Sequence, residues 1–315
     1  MAKVLILSHQ EILKLNLSLK NIILNIKEGF KKHSLGKTYL KPKISLVPKE
    51  GSFYTAMPGG VKDEVLGLKL IERFENKNYP SVFGTMFLND EKTGKLLSIM
   101  DATWLTSIRT GAIATISIEI FANPEVNEIS IIGLGNTAIA TLKCIEEYLP
   151  HIKKVNLFSY KDTHLKFIEK FKESRFEFEI IDNLETFIKR GKIIISAITY
   201  ASKPFIKKEW LNDDVLILPI HSRGWQECDE IFDKIYTDDY EHTKHFIKKL
   251  TGELGDVLLG KIKGKEKEKK EKIIAYNIGI AIDDIVVAKL IYDEAKKQKV
   301  GLEIELDNYN SKVIF

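Results

Sequence analysis

The segment Glu128-Ile-Ser-Ile-Ile-Gly-Leu-Gly-Asn-Thr-Ala138 constrains this chain more than any other. Its first half is an apolar run of strand length, its second half a glycine turn, and helical spacing continues from Ala138 to Tyr148. Gly133 permits a tight turn. Gly135 has no Cβ, so the backbone can approach a bound group closely. Ala138 stands where a third small residue lets helix and strand pack together. A helix opening there offers free N–H groups and the positive end of its dipole, which suits a pyrophosphate. Asn136 and Thr137 complete the turn as candidate contacts. Taken alone, such a turn also fits an α/β fold without a cofactor.

The residues beyond the turn decide between these two possibilities. Strand Val155–Phe158, helix Thr163–Lys172, strand Glu177–Ile181, helix Leu184–Arg190 and strands Ile193–Ala197 and Val215–Pro219 succeed one another over short connections. Such alternation implies right-handed crossovers and a parallel sheet. The predicted fold class is therefore α/β, with a Rossmann-type parallel sheet that binds a dinucleotide. The second strand ends in Ser159-Tyr-Lys161-Asp162. An NAD site usually places a carboxylate at this tip, to hold the ribose 2′-hydroxyl. A hydroxyl at Ser159 and an ammonium at Lys161 suit a 2′-phosphate better, so NADP(H) is favoured. Asp162 keeps NAD(H) open, and Ser159 and Lys161 also read as ordinary loop residues.

Upstream the period changes. Val4–Leu7 reads as a strand and Glu11–Phe30 as a helix. Short strand-like runs at Ile44–Val47, Gly67–Ile71, Val82–Leu88 and Leu96–Met100, broken by Pro and Gly, predict a mostly antiparallel sheet, with Leu88–Gly94 as a hairpin turn. Thr103–Phe121 has helical spacing. Near the C-terminus Ile273–Tyr276 reads as a strand, Ile278–Lys297 as a long helix, and Gly301–Leu306 as a strand returning to the first domain. A chain of 315 residues fits two domains.

Composition narrows the function by exclusion. A net charge of +4, spread over 48 basic and 44 acidic residues, does not mark a nucleic-acid binder. Cys144 and Cys228 form no CxxC pattern, so no disulfide framework is expected. The apolar run at the start is too short for a signal segment or a membrane span, and a cytoplasmic location is expected. Residues 260–272, rich in Lys and Glu, read as a solvated loop. His242 and His245 lie in a predicted surface helix, and no Cys/His/carboxylate set of metal-site spacing accompanies them, so no metal is expected. Arginine occurs only at 73, 109, 175, 190 and 223. Where Lys is the default cation, Arg109 in its polar Thr/Ser/Gly context suggests use of the planar fork. A structural cap for a neighbouring element is the alternative.

Several motifs occur in a fixed order: Ala56-Met-Pro-Gly59, Leu66-Gly-Leu-Lys69, Asn89-Asp-Glu-Lys-Thr-Gly94, Leu105-Thr-Ser-Ile-Arg109-Thr-Gly-Ala112, the glycine turn, and Gly279-Ile-Ala-Ile-Asp283-Asp284. This order resembles the ornithine cyclodeaminase / μ-crystallin family across nearly the whole chain. The resemblance implies a dinucleotide domain, 116–284, inserted into a smaller α+β substrate and dimerisation domain formed by 1–115 and 285–315. It also implies a homodimer and a small amino or imino acid substrate. Lys69 and Arg109 fall on the family's carboxylate-binding positions, with Lys69 also a catalytic candidate, and Thr110 on a cofactor position. A guanidinium can hold a carboxylate in two parallel bonds, so the physics of Arg109 agrees. An outward-pointing strand lysine is the alternative for Lys69. Lys43 matches a further basic position.

Two departures shape the expected activity. Thr55 stands where a charged substrate contact is common, and His221 where cyclodeaminases carry an Asp. A Thr/His pair lacks both carboxylates needed to manage two amines, which argues against an ornithine cyclodeaminase proper. A histidine near neutral pKa can still exchange a proton with an imine nitrogen. Thr137 also replaces the family's Gln. Asp284 is expected to cap or steady the last long helix. The leading expectation is an NAD(P)H-dependent imine reductase or amino-acid dehydrogenase. A cyclodeaminase-type ammonia lyase using bound NAD and a non-catalytic NADPH-binding protein are the alternatives.

Overall fold

Strand and helix alternation beyond Thr103 produces a sheet in which every described pairing is parallel. The computed structural model describes residues 3–74, 80–198, 205–220, 225–266 and 268–306, with 226–228 described by backbone alone. The chain divides into two compact units. The first comprises residues 1–18, 35–106 and 280–315, the second residues 19–34 and 107–279.

In the second unit the strands run in the order Glu177–Ile181, Lys154–Phe158, Glu128–Ile132, Ile193–Ser196, Val215–Pro219, Lys272–Tyr276, Lys234–Thr237, Gly252–Glu253. Chain order reverses between Glu128–Ile132 and Ile193–Ser196, where crossovers leave in opposite directions and open a crevice at the carboxyl ends. This is the doubly wound Rossmann arrangement. Its central strands are apolar on both faces, as helix cover on both sides requires. Ile132, Ile194, Ile217 and Ile274 are buried in one cluster with Phe187, Trp225 and Tyr276, each aliphatic side chain contributing about 1.5–3 kcal/mol. The helix Thr103–Phe121 meets the helix Asn136–Tyr148 at Gly111, where a Cβ would lie 2.7 Å from the backbone of Ala140 and Thr141.

The first unit holds a mainly antiparallel sheet: Leu302–Glu305, Lys3–Leu7, Leu96–Asp101, Val82–Asp90, Val65–Arg73, Phe53–Val61 and Thr38–Leu40, with Ile44–Leu46 also on Phe53–Val61. Among its described strands, only Lys3–Leu7 and Leu96–Asp101 pair in parallel. The C-terminal strand does return to the first, with Val4 opposite Ile304. The hairpin at Asp90–Gly94 closes as its sequence predicts. Asp90 accepts from the Thr93 amide at 2.8 Å and hydroxyl at 2.6 Å, and Gly94 takes φ +71°. The helix Ala281–Gln298 lies on this sheet over Gly59 and Gly67. A Cβ on Gly59 would stand 3.0 Å from Ala281, and one on Gly67 2.8 Å from Ile285, so the glycines set how closely the helix approaches.

Three expectations are corrected. The predicted helix Glu11–Phe30 is two helices, His9–Lys14 and Leu19–Ser34, because Asn16 turns the chain at φ +48°. The strand Phe53–Val61 passes through Pro58-Gly-Gly, which concealed it in the sequence. The charged run at 260–272 is anchored in part. Lys265 pairs with Asp214, Lys234 with Glu271 at 2.9 Å, and Tyr236 donates to the Lys263 carbonyl at 2.6 Å. Among the described residues no helix is long and apolar enough to cross a membrane.

Candidate active site and dinucleotide turn

The strand Glu128–Ile132 delivers the glycine turn to the point where chain order reverses. Gly133 adopts φ +87°, and a Cβ there would fall 2.5 Å from the backbone of Ala197 and Ile198 at the end of the neighbouring strand. Glycine is required at 133 for both reasons. Gly135 differs: it is the N-cap of the helix Asn136–Tyr148, no side chain caps that terminus, and a Cβ would meet nothing within 4 Å. The terminus thus has no capping side chain and open space beside Gly135, which fits a pyrophosphate. Gly135 and Asn136 are exposed, Thr137 is half-buried, and Ala138 is buried where the helix packs down. Thr110 is buried in the helix Thr103–Phe121.

At the tip of the second strand no carboxylate occupies position 159. The Ser159 hydroxyl lies 3.2 Å from Nδ1 of the buried His164. Lys161 is exposed, with its ammonium 5.1 Å from the Tyr160 ring centre. Lys161 and Asp162 both take positive φ, +47° and +54°, so the loop curls before the helix Thr163–Glu169 begins. His164 is a neighbour that sequence reasoning did not mark. Its spacing of five from Ser159 bridges a loop and a helix start, for which no periodicity rule speaks.

Arg109 is buried in the second unit, and its surroundings explain the glycine of the last motif. Gly279 takes φ +73°, and a Cβ there would stand 1.4 Å from Arg109 Nη1 and 2.4 Å from Cζ. Nη1 of the guanidinium therefore occupies space that only a glycine at 279 leaves open. Asp238, just beyond the strand Lys234–Thr237, fixes that loop by accepting from the Gly279 amide at 2.5 Å. Asn277 adds a donor bond to Ser117 on the helix that carries Arg109, at 3.0 Å. Asp238 was missed because the strand before it was not read.

Lys69 belongs to the first unit and is not an outward strand lysine. It is fully buried, and its ammonium lies 2.7 Å from the Asp284 carboxylate. Register explains the burial. Met57 faces Lys69 on one side and Met86 on the other, so the side chain projects into an apolar face that the last helix covers. Asp284 therefore balances a buried charge. The capping role falls to Asp283, whose carboxylate accepts from the Ile280 amide at 2.9 Å. Thr55 lies two residues before Met57 on the strand Phe53–Val61, on the same face, and hydrogen-bonds Ser45 at 2.8 Å. Lys43 is half-buried just before the strand Ile44–Leu46. His221 lies outside the described residues.

His242 departs from its expected place. Rather than lying on a surface, it is buried, with Nδ1 2.6 Å from Asp239. Asp229 is also a buried acid. Burial pushes its carboxyl up to about 6, against the opposing effect of the Tyr276 hydroxyl, which donates at 2.5 Å.

Comparison with known proteins agrees with this architecture. The sequence model of the ornithine cyclodeaminase/mu-crystallin family matches residues 3–299. Alanine dehydrogenase of Archaeoglobus fulgidus is 29% identical over 322 aligned positions, covering 96% of this chain and 98% of its own. Among solved structures, Δ1-pyrroline-2-carboxylate reductase of Thermococcus litoralis, in complex with NADH and L-proline, superposes with a TM-score of 0.85 at 26% identity, over 96% of this chain and all of that one (100%). An archaeal alanine dehydrogenase dimer with bound NAD superposes with a TM-score of 0.86 at 26% identity, over 97% of this chain and 100% of that one. The chain belongs to the ornithine cyclodeaminase/mu-crystallin family.

Proposed function

We propose that this protein is an NAD(P)H-dependent oxidoreductase acting on the carbon–nitrogen bond of a small imino or amino acid. The observation that carries the proposal is the uncapped helix N-terminus behind Gly133 and Gly135, at the reversal point of a parallel sheet. Relatives named as an alanine dehydrogenase and a pyrroline-2-carboxylate reductase support the chemistry. The bound dinucleotide would supply or accept hydride at the carbon that bears nitrogen. Gly133, Gly135, Asn136, Thr137, Ala138 and Thr110 would hold it.

The chain's own residues bind and orient the substrate. Arg109 grips the carboxylate through its planar fork, in an orientation that Gly279 allows. Lys69, paired with Asp284, contributes a second cation and a proton near the nitrogen. Lys43 and Thr55 select among substrate side chains. His221 would serve as the further proton donor on the strength of its sequence position.

NADP(H) is the favoured cofactor. Ser159, backed by His164, and the exposed Lys161 offer donors to a 2′-phosphate where a diol-binding carboxylate would otherwise stand. The protein acts as a cytoplasmic homodimer in this reading. The exposed apolar side chains Ile44, Leu46 and Val47 offer a surface to a second copy, and the related archaeal alanine dehydrogenase is a dimer. Turnover of Δ1-pyrroline-2-carboxylate and of alanine with each cofactor tests the assignment. Ser159→Asp shifting preference from NADPH to NADH is the expected result, and an unchanged preference would remove Ser159 from the cofactor site.

A further inference from the structure

Three ligand-type side chains meet at the edge of the parallel sheet, away from the groups used above. His33 is in the last turn of the helix Leu19–Ser34. Asp239 comes just after the strand Lys234–Thr237 and caps the helix Tyr240–Thr243. Glu253 ends the strand Gly252–Glu253. Because Thr237 and Glu253 are partners in adjacent parallel strands, the two acids emerge at the same carboxyl edge. One ring nitrogen and two carboxylate oxygens lie within 4.8 Å of one another.

We propose that His33, Asp239 and Glu253 bind a divalent transition-metal ion, with zinc the best match to one imidazole and two carboxylates. Each acid is already oriented as an outer shell would orient a ligand. Asp239 Oδ1 accepts from His242 Nδ1 at 2.6 Å and from the His242 amide at 3.0 Å, which turns Oδ2 toward His33, 3.1 Å away. Glu253 Oε1 accepts from the Tyr240 amide at 2.8 Å, leaving its other oxygen for the ion. Such donors behind the ligands hold ring and carboxylate in register and tune their basicity.

The charge balance points the same way. Among the described residues neither acid has a lysine or arginine partner; Asp239 pairs only with the two histidines. A dication would neutralise two crowded carboxylates. It would also tie a helix of residues 19–34 to strands more than two hundred positions along the chain. The alternative is a simple tie in which His33 donates its proton to Asp239. The two differ at His33 Nε2, which must present a lone pair to a metal and a hydrogen to a carboxylate.

The test is titration of the EDTA-dialysed full-length protein with zinc by calorimetry and with cobalt(II) by visible absorption. The site predicts one ion per chain and cobalt bands of low-symmetry coordination. His33→Ala and Glu253→Gln should each weaken binding by about tenfold or more. Glu253→Gln keeps an acceptor for the Tyr240 amide and so retains the fold, which circular dichroism checks; it carries the test if His33→Ala does not fold. Absence of stoichiometric binding, or binding unchanged in Glu253→Gln, overturns the site. None of these outcomes depends on turnover, so failure here leaves the oxidoreductase reading untouched.

Discussion

Lys69 Nζ and Asp284 Oδ1 lie 2.7 Å apart with both side chains fully buried. Removal of one partner takes this 2.7 Å contact from a buried charge, at a cost of about 3–5 kcal/mol. Asp284→Ala should therefore lower the unfolding free energy by about this amount. The double variant Lys69→Met/Asp284→Leu should recover most of it while losing turnover. Denaturant unfolding of the three proteins at neutral pH checks this. Equal destabilisation of the single and double variants would show that the charge pair is not the source.

The two glycines of the turn should fail differently. Gly133→Ala combines a positive φ with a backbone clash at 2.5 Å, so it should lose about 1–3 kcal/mol or more of stability. Gly135→Ala meets open space and should melt like the wild type. Its methyl group would instead crowd the pyrophosphate and weaken dinucleotide binding. Paired thermal unfolding and cofactor titration separate the two effects.

Gly279→Ala should behave as a substrate-binding mutant although glycine has no side chain to bind with. The added carbon would occupy the place of Arg109 Nη1, 1.4 Å away, and so displace the guanidinium. Losing a charge-assisted carboxylate bond costs about 1.5–3 kcal/mol, or roughly 10- to 100-fold in KM for the acid. Arg109→Ala should match it. A Gly279→Ala enzyme with normal KM would separate Arg109 from the substrate carboxylate.

Asp229 gives a pH dependence of definite sign. Burial raises its folded pKa to about 6, above the unfolded value of about 3.9. The native state thus holds this proton more tightly, and the resulting stability is present below about pH 4 and lost as pH rises through 6. Asp229→Asn keeps an acceptor for the Tyr276 hydroxyl and cannot ionise. It should be more stable than the wild type by roughly 2–3 kcal/mol at pH 8, and by less than about 1 kcal/mol at pH 4.5. Denaturation midpoints at the two pH values measure the difference.

The parallel sheet was legible because its strands are uniformly apolar and its helices short and regularly spaced. The strands Glu177–Ile181 and Val215–Pro219 and the helices Thr103–Phe121 and Leu184–Arg190 have the predicted limits. Failures came where a local signal competed with a tertiary one. Pro58-Gly-Gly signals a break, yet the strand continues through it, and Gly59 lets the last helix approach. The resemblance marks Lys69 as a carboxylate-binding position but leaves an outward strand lysine as the alternative, and only the register opposite Met57 and Met86 puts the side chain inside. Asp283 and Asp284 are adjacent and chemically alike, so only the helix phase separates the cap from the counterion. His33 and Asp239 are 206 residues apart, and no spacing rule reaches that far.

Hydride exchange between a nicotinamide dinucleotide and the carbon bearing nitrogen can be followed directly with an isotope. NADPH carrying deuterium on the transferable position of its nicotinamide should be incubated with the protein and Δ1-pyrroline-2-carboxylate, and the product examined by mass spectrometry. Deuterium is expected on the α-carbon of proline, with one cofactor oxidised for each imine consumed. Unlabelled product, or no cofactor oxidation with either NADPH or NADH, would contradict the proposed reaction.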